Sequence, residues 1–251
     1  MAKQNGILPI KGKIGNLSFY KSRDGHLVRE KGGIDANRMA SDPAFQRTRE
    51  NQSEFARAGS AAKLLRNAVR VVSKSASDRR QFSRLATRMS EVVKSDLVSD
   101  RGQRNVIDGN IGLLHRFEFN IAAVLESTLF APFTAAIDRV TGNLSIEIPA
   151  FVPEKSISKP EGASHFQVIS AGTAVDFEGN AYETATASSA TLPFDNEVTD
   201  AITLSNAVTA NSTNPLFLLL GIQFFQEVNG KMYPLKNGGF NALSVVMVSI
   251  Q

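Results

Sequence analysis

Leu216-Phe217-Leu218-Leu219-Leu220-Gly221-Ile222-Gln223-Phe224-Phe225 is the stretch on which the fold turns. It is too short for a membrane helix, which needs roughly 18 apolar residues, and Gln223 interrupts it. A short, dense apolar run bounded by turn residues reads as a buried strand. Two arrangements suit it. One face fills a sandwich core while the other meets a partner, or the strand is central and covered on both faces. Val228-Asn229-Gly230 then turns the chain into a returning strand at 231–233.

The pattern repeats on either side. Segments 136–140 and 144–148 flank Thr141-Gly142-Asn143. Segments 166–171 and 174–177 surround Gly172, and Glu178-Gly179-Asn180 is the next turn. Short strands follow at 182–186, 190–192 and 202–204, and 243–250 closes the series. The 185–191 stretch is low in complexity (Ala, Ser, Thr) and reads as an exposed strand or loop. About eight to ten strands spaced by about 8–12 residues are the signature of an antiparallel sandwich. The last strand ties residues near 250 into the sheet, so truncation there is expected to be poorly tolerated.

Upstream the period changes. Ser41-Asp42-Pro43 supplies a cap and a proline at the first helical position. Phe45, Phe55, Ala58, Ala62, Leu65, Val69 and Val72 then form one apolar stripe near the 3.6 period. Gly59 weakens that helix by about 1 kcal/mol relative to Ala, or admits another backbone. After a break at 73–77, a second stripe runs through Phe82, Leu85, Met89, Val92 or Val93, and Leu97. The pair reads as a helical hairpin. Between 100 and 135, alternation over 114–120 suggests a strand, and 121–130 suggests a short helix capped by Asn120 and ended by Pro132. At the front, segments 16–20 and 26–29 flank Lys21-Ser22-Arg23-Asp24-Gly25, a hairpin signal. Gly32-Gly33 breaks the second strand.

Charge is sorted along the chain. Residues 1–120 hold 23 Lys and Arg against 12 Asp and Glu, whereas residues 121–251 hold 5 against 12; the overall +4 hides a basic front and an acidic back. Such asymmetry points to an anionic partner for the front half, or to front-to-back contact between copies.

Catalytic and metal chemistry find little support. With no cysteine, disulfides, thiolate metal sites and a Cys nucleophile are excluded. His26, His115 and His165 share no ligand spacing. Asp176, Glu178 and Asp195 lie on turns without EF-hand spacing. Lys11-Gly12-Lys13-Ile14-Gly15-Asn16 lacks the phosphate-loop pattern and precedes a strand. Ser156-Ile157-Ser158-Lys159 matches S-x-x-K by letter, but Pro153 and Pro160 argue against the helix that motif opens. No cofactor is expected, and the chain reads as no enzyme. With no signal peptide or membrane span in view, cytoplasmic or particle-associated residence is the default expectation.

The basic front half is the candidate surface. Lys63, Arg66 and Arg70 on the first helix, with Arg57 and Lys74, and Arg79, Arg80, Arg84 and Arg88 on the second, form a basic face. Lys11, Lys13, Phe19, Tyr20, Lys21 and Arg23 form a basic arm. Such a face suits phosphates, with strongly salt-dependent binding, although Glu50, Glu54 and Glu91 interrupt it. It equally suits a sister molecule's acidic half, a heterologous contact that generates rings or filaments.

The opening Gly6-Ile7-Leu8, Gly12-Lys13-Ile14-Gly15-Asn16 and Phe19-Tyr20 resembles the start of a group of uncharacterised bacterial proteins, a domain of unknown function. In that group a similar glycine-rich segment leads into a helical stretch and a β-rich C-terminal region with Ig-like patterning. The resemblance implies a bacterial or phage-associated origin and a non-enzymatic role. The expectation is thus an α+β chain: a basic β-hairpin arm (1–40), a helical hairpin (41–110) and an Ig-like antiparallel β-sandwich (111–251). Its expected role is a structural protein forming homo-oligomers or part of a larger protein assembly. A non-sequence-specific nucleic-acid binder is the runner-up. A carbohydrate-binding sandwich is weaker, since no Trp is present to stack on sugars.

Overall fold

A computed structural model describes residues 2–4, 9–30, 34–235 and 239–250. Gly6-Ile7-Leu8 and the strand break at Gly32-Gly33 lie outside them. The chain is α+β and divides into two compact units, Met1–Arg49 and Glu50–Gln251.

The first unit is a four-stranded antiparallel sheet, ordered β1 (Ala2–Lys3), β4 (Gly25–Glu30), β3 (Leu17–Ser22), β2 (Gly12–Ile14). Strands β3 and β4 pair around Arg23-Asp24, with Ser22 opposite Gly25. Gly25 has φ +108°, a conformation glycine reaches without steric cost. The short helix α1 (Ala36–Ser41) follows, capped by the Asp35 carboxylate. Asp42 then accepts from the Ala44 amide and, with Pro43, opens a 3₁₀ turn that runs into α2 (Gln46–Ala68).

In the second unit the 216–225 stretch sits in β11 (Leu216–Val228), the centre of a six-stranded sheet. On one side it pairs with β7 (His165–Asp176). On the other it pairs first with β13 (Ala242–Ser249) and then with β12 (Lys231–Pro234). Strands β8 (Ala181–Ser188) and β9 (Leu192–Pro193) complete the far edge against β7. The three-stranded sheet β10 (Ile202–Ala207), β6 (Asn143–Ile148), β5 (Thr134–Asp138) packs on one face. Helices α2, α3 (Arg70–Ser73) and α4 (Gln81–Lys94) pack on the other.

The period-2 alternation of β11 divides its side chains between two cores. Leu216, Leu218, Leu220, Ile222 and Phe224 join Leu144, Ile146, Phe166 and Leu204 between the sheets. Phe217 and Leu219 join Ala58, Ala62, Leu65, Leu85 and Met89 under the helices. The central-strand arrangement is the one found, and the face free for a partner is instead helix-covered.

Where β11 changes partners, the ladder has a gap. The Phe224 amide is met by the Asn241 side chain at 3.0 Å. Asn241 also donates to the Ser75 carbonyl (3.0 Å), and Gln223 donates to the Ser75 hydroxyl (2.5 Å). Two polar groups beside the gap thus anchor the helical layer.

Several local expectations are corrected. Residues 166–177 are not two strands; β7 runs through Gly172, where a Cβ would lie 2.8 Å from Asn206 Cβ of the facing sheet. The glycine marks close approach of the two sheets, not a break. Residues 114–120 are not a strand. A 3₁₀ turn (Ile111–Leu114) leads into a tight turn, and a single bridge joins Glu118 to Ser244. The helix expected at 121–130 shrinks to α5 (Leu125–Thr128), because the Asn120 carboxamide accepts from Ala122 and forms a turn. The segment after Pro153 does form a helical turn, α6 (Pro153–Ser156), with proline at its permitted first position. Phe55 and Leu97 lie exposed, off the buried stripes, whereas Glu54 is buried.

Candidate interaction surface

The outer face of the helical layer carries the charge. Residues 57–94 contain ten Lys and Arg against Asp78 and Glu91 alone. The side chains of Lys63, Arg70, Lys74 and Arg80 are exposed and form no ion pair among the described residues. Arg66 is half-buried, its guanidinium 5.0 Å above the Phe82 ring. Arg79 is exposed. Arg88 pairs with Glu91 at 2.7 Å, one turn along α4.

Two basic residues of this face are structural. Arg57 donates to the Gly102 and Arg104 carbonyls (2.7 and 3.1 Å) and to the Gln103 side chain, tying α2 to the 100–105 loop. Glu54 accepts from the Gly102 amide at 2.8 Å, so it serves that loop rather than interrupting the basic face. Arg84 pairs with Asp78, donates to the carbonyls of Glu118 (2.6 Å) and Phe119 (3.2 Å), and stacks on Phe117. Partial burial opposes ionisation of Asp78. Hydrogen bonds from the Ile121 amide and Arg84 outweigh it and hold the carboxyl below its usual range.

Arg80, Arg84 and Arg88 line a groove of about 460 Å³ between α4 and the 116–124 segment, closed on its far side by Arg116, Phe117, Ile121 and Val124. A smaller hollow of about 240 Å³ shares Arg116 and Glu118 and adds His115, Glu126 and Phe133. Burial pushes the Glu118 carboxyl up, against the Leu125 amide that donates to it. Arg116 is conformationally unusual. His115 (φ −55°, ψ 137°) and Arg116 (φ +62°) are the central residues of a type II turn closed by the Phe117 amide on the Leu114 carbonyl. The second centre of such a turn favours Gly or Asn, and another residue there costs about 1–2 kcal/mol. The other non-glycine residues with positive φ among those described are Asn180, Asn211 and Asn229. Arg116 pairs with Glu126, but both side chains are largely exposed, and such pairs contribute about 0–1 kcal/mol. Sequence reasoning missed Arg116 because nothing local marks it as a turn centre.

The opposite face of this unit differs. The outward positions of the three-stranded sheet are Thr134, Ala136, Asp138, Asn143, Ser145, Glu147, Thr203, Ser205 and Ala207, with no Lys or Arg. Arg139, at the adjoining turn, is consumed by the carbonyls of Ser212, Asn214 and Ser249. From residue 160 to 230 the chain has eight acidic residues and no Lys or Arg.

In the first unit, register places Lys13, Ser18 and Arg29 side by side, with Tyr20 and Lys3 on the same face. The Arg29 guanidinium lies 5.6 Å from the Tyr20 ring, beside a hollow of about 390 Å³. Alternation turns Phe19 and Lys21 to the other face. Lys11 is exposed ahead of β2, and Arg23 occupies the β3–β4 turn.

Among the described residues no group of three or more His, Asp or Glu is placed to hold a metal. The Asp176 and Asp195 carboxylates accept amides of their own turns. No helix among the described residues is long and apolar enough to cross a membrane.

No protein-family model and no curated protein matches the chain, in keeping with its resemblance to an uncharacterised group. One solved structure with some likeness comes from work described as "pH-induced modulation of Streptococcus parasanguinis adhesion by Fap1 fimbriae". It is 13% identical, covers 45% of this chain and 78% of that chain, and has a TM-score of 0.23, too low to bear on fold or function.

Proposed function

We propose that this is a non-enzymatic structural or interaction protein that assembles with copies of itself or within a larger bacterial or phage-like particle. One observation carries the reading: the two outer faces of the second unit bear opposite charge, basic over the helices and acid-bearing without bases over the three-stranded sheet. Faces of opposite sign on opposite sides favour head-to-tail contacts, in which charge sets register and speed more than strength. Within this reading residues 1–40 are a basic β-hairpin arm, 41–110 a helical hairpin and 111–251 an Ig-like sandwich. Size-exclusion chromatography with light scattering at low and high salt tests it. Association that grows with concentration and weakens with salt is expected. A monomer under every condition rejects the reading.

A second reading, non-specific nucleic-acid binding, is favoured by Lys3, Lys13 and Arg29 gathered around Tyr20 on one face of the small sheet. A gel shift with random single- and double-stranded DNA tests it. Lys13→Glu with Arg29→Glu is expected to abolish any shift, and retention of the shift rejects this site.

A further inference from the structure

We propose that the groove between α4 and the 116–124 segment receives the acidic 195–200 loop of a second copy, with Arg116 as a specificity-determining contact. This inference rests on the self-assembly reading and deepens it.

Arg116 has a positive φ, a conformation that the other described residues adopting it meet with glycine or asparagine. Gly or Asn at that site would relieve the backbone, and the exposed pair with Glu126 does not require this conformation. What the arginine uniquely supplies is a guanidinium that borders both hollows. Arg84 is already fixed beneath the groove by Asp78 and two carbonyls, so one cationic wall is preorganised. Arg80 and Arg88 are exposed on the same α4 side as Arg84; Glu91, the partner of Arg88, and Glu118 also line the groove, so Arg80 and Arg116 are the cations it offers most openly. Across from the α4 arginines Ile121, 64% exposed, supplies an uncovered apolar surface.

The occupant is chosen by matching these features. The groove asks for carboxylates flanking an apolar side chain. Several acidic groups of the back half are already engaged: Asp176 by two turn amides, Glu183 by Thr209, and Asp138 by Thr141 and Val140. In the 195–200 loop, Glu197 and Asp200 are exposed and their carboxylates have no hydrogen bond among the described residues. Between them Val198 is 66% exposed. The loop is held from behind, where the Thr199 amide donates to the Phe151 carbonyl (2.8 Å), which lowers the ordering cost of presenting its tip. It leads directly into β10 of the acid-bearing sheet.

The test compares the wild type with Arg116→Gly, with the pair Arg80→Glu/Arg88→Glu, and with the pair Glu197→Lys/Asp200→Lys, by light scattering and thermal melting. Arg116→Gly is expected to melt no lower than the wild type yet associate about tenfold more weakly or worse. Each charge-reversed pair is expected to lose association alone and to regain it when the two are mixed. If the wild type associates but these variants behave like it, or mixing fails to restore association, the groove assignment is overturned while self-assembly stands. If the wild type is monomeric throughout, both fall. Should Arg116→Gly fail to fold, the mixing experiment still decides.

Discussion

The two faces of the six-stranded sheet are covered by different means. Toward the three-stranded sheet the contact is large and apolar, with Phe151, Phe166, Phe194 and Phe224 in a chain of ring contacts 5.6–6.4 Å apart. Toward the helices the side chains are smaller, with Ala58, Ala61, Ala62, Ala68 and Ala76 prominent. That layer is fastened at its margins by buried polar groups: Glu54, Asp96 and Asn241. Both layers add specific hydrogen bonds to area: between the sheets the Asn206 carboxamide donates to the Ser170 hydroxyl at 2.8 Å, whereas under the helices the bonds are made by the carboxylates Glu54 and Asp96 as well as Asn241. The helix-bearing side, which holds the buried carboxylates, is therefore the one that acid should loosen.

The adjacent residues Leu218 and Leu219 test the division into layers directly, because they point to opposite layers. Each change to Ala is expected to cost about 2–5 kcal/mol, read by chemical denaturation. Amide hydrogen exchange should then separate them: Leu218→Ala should deprotect β5, β6 and β10, and Leu219→Ala should deprotect α2 and α4. Identical exchange patterns would mean that the layers open as one unit. Next in size is Asn241→Ala, which strands the Phe224 amide and the Ser75 carbonyl. A loss of about 1–3 kcal/mol is expected, with exchange rising around residues 73–77 rather than in the sandwich.

Acid should discriminate between the layers without mutation. The Asp96 carboxylate accepts from the amides of Ser99, Val98 and Asn105, and these hydrogen bonds bring its pKa down from 3.8 to about 2. A carboxyl lowered on folding contributes stability above its unfolded pKa and loses it as pH falls through the folded one. The loop after α4 should therefore weaken between about pH 4 and pH 2, and Asp96→Asn should flatten that dependence. Glu118 acts in the opposite sense. Burial raises its pKa, so its contribution improves as pH falls. The smallest effect expected is a gain. A Cβ on Gly59, inside α2, would meet nothing within 4 Å, so no backbone approaches there. Gly59→Ala should stabilise by about 0.5–1 kcal/mol, a rise in melting temperature.

Much of the sandwich was legible because a strand's alternation and its turn residues are written locally. The 216–225 run announces a buried strand, though not whether a partner or the chain itself covers its second face, and the turn at 141–143 separates β5 from β6. What stayed hidden depends on partners distant in sequence. Nothing near Glu54 shows that the Gly102 amide will reach it from 48 residues away. Nothing near Arg84 shows the carbonyls of Glu118 and Phe119. Gly172 looks like an interruption until Asn206 and Leu144 are seen pressed against it. At 114–120 alternation was a false guide, because the type II turn at His115-Arg116 uses no residue that favours it. Of the candidate site, the basic residues were legible by composition. The groove that organises Arg80, Arg84 and Arg88 required Arg116, which only the folded backbone brings to them.

Strand β13 supplies Leu243 and Val245 beneath the helices and Ala242 between the sheets. On the ribosome, helices 46–94 emerge some 150 residues before that strand. They wait with their apolar stripe uncovered, and neither hydrophobic compartment can seal until residues 242–249 have left the exit tunnel. Nascent chains arrested anywhere upstream are thus natural clients for a chaperone, and vectorial synthesis gives the Glu50–Gln251 unit no early, self-sufficient half.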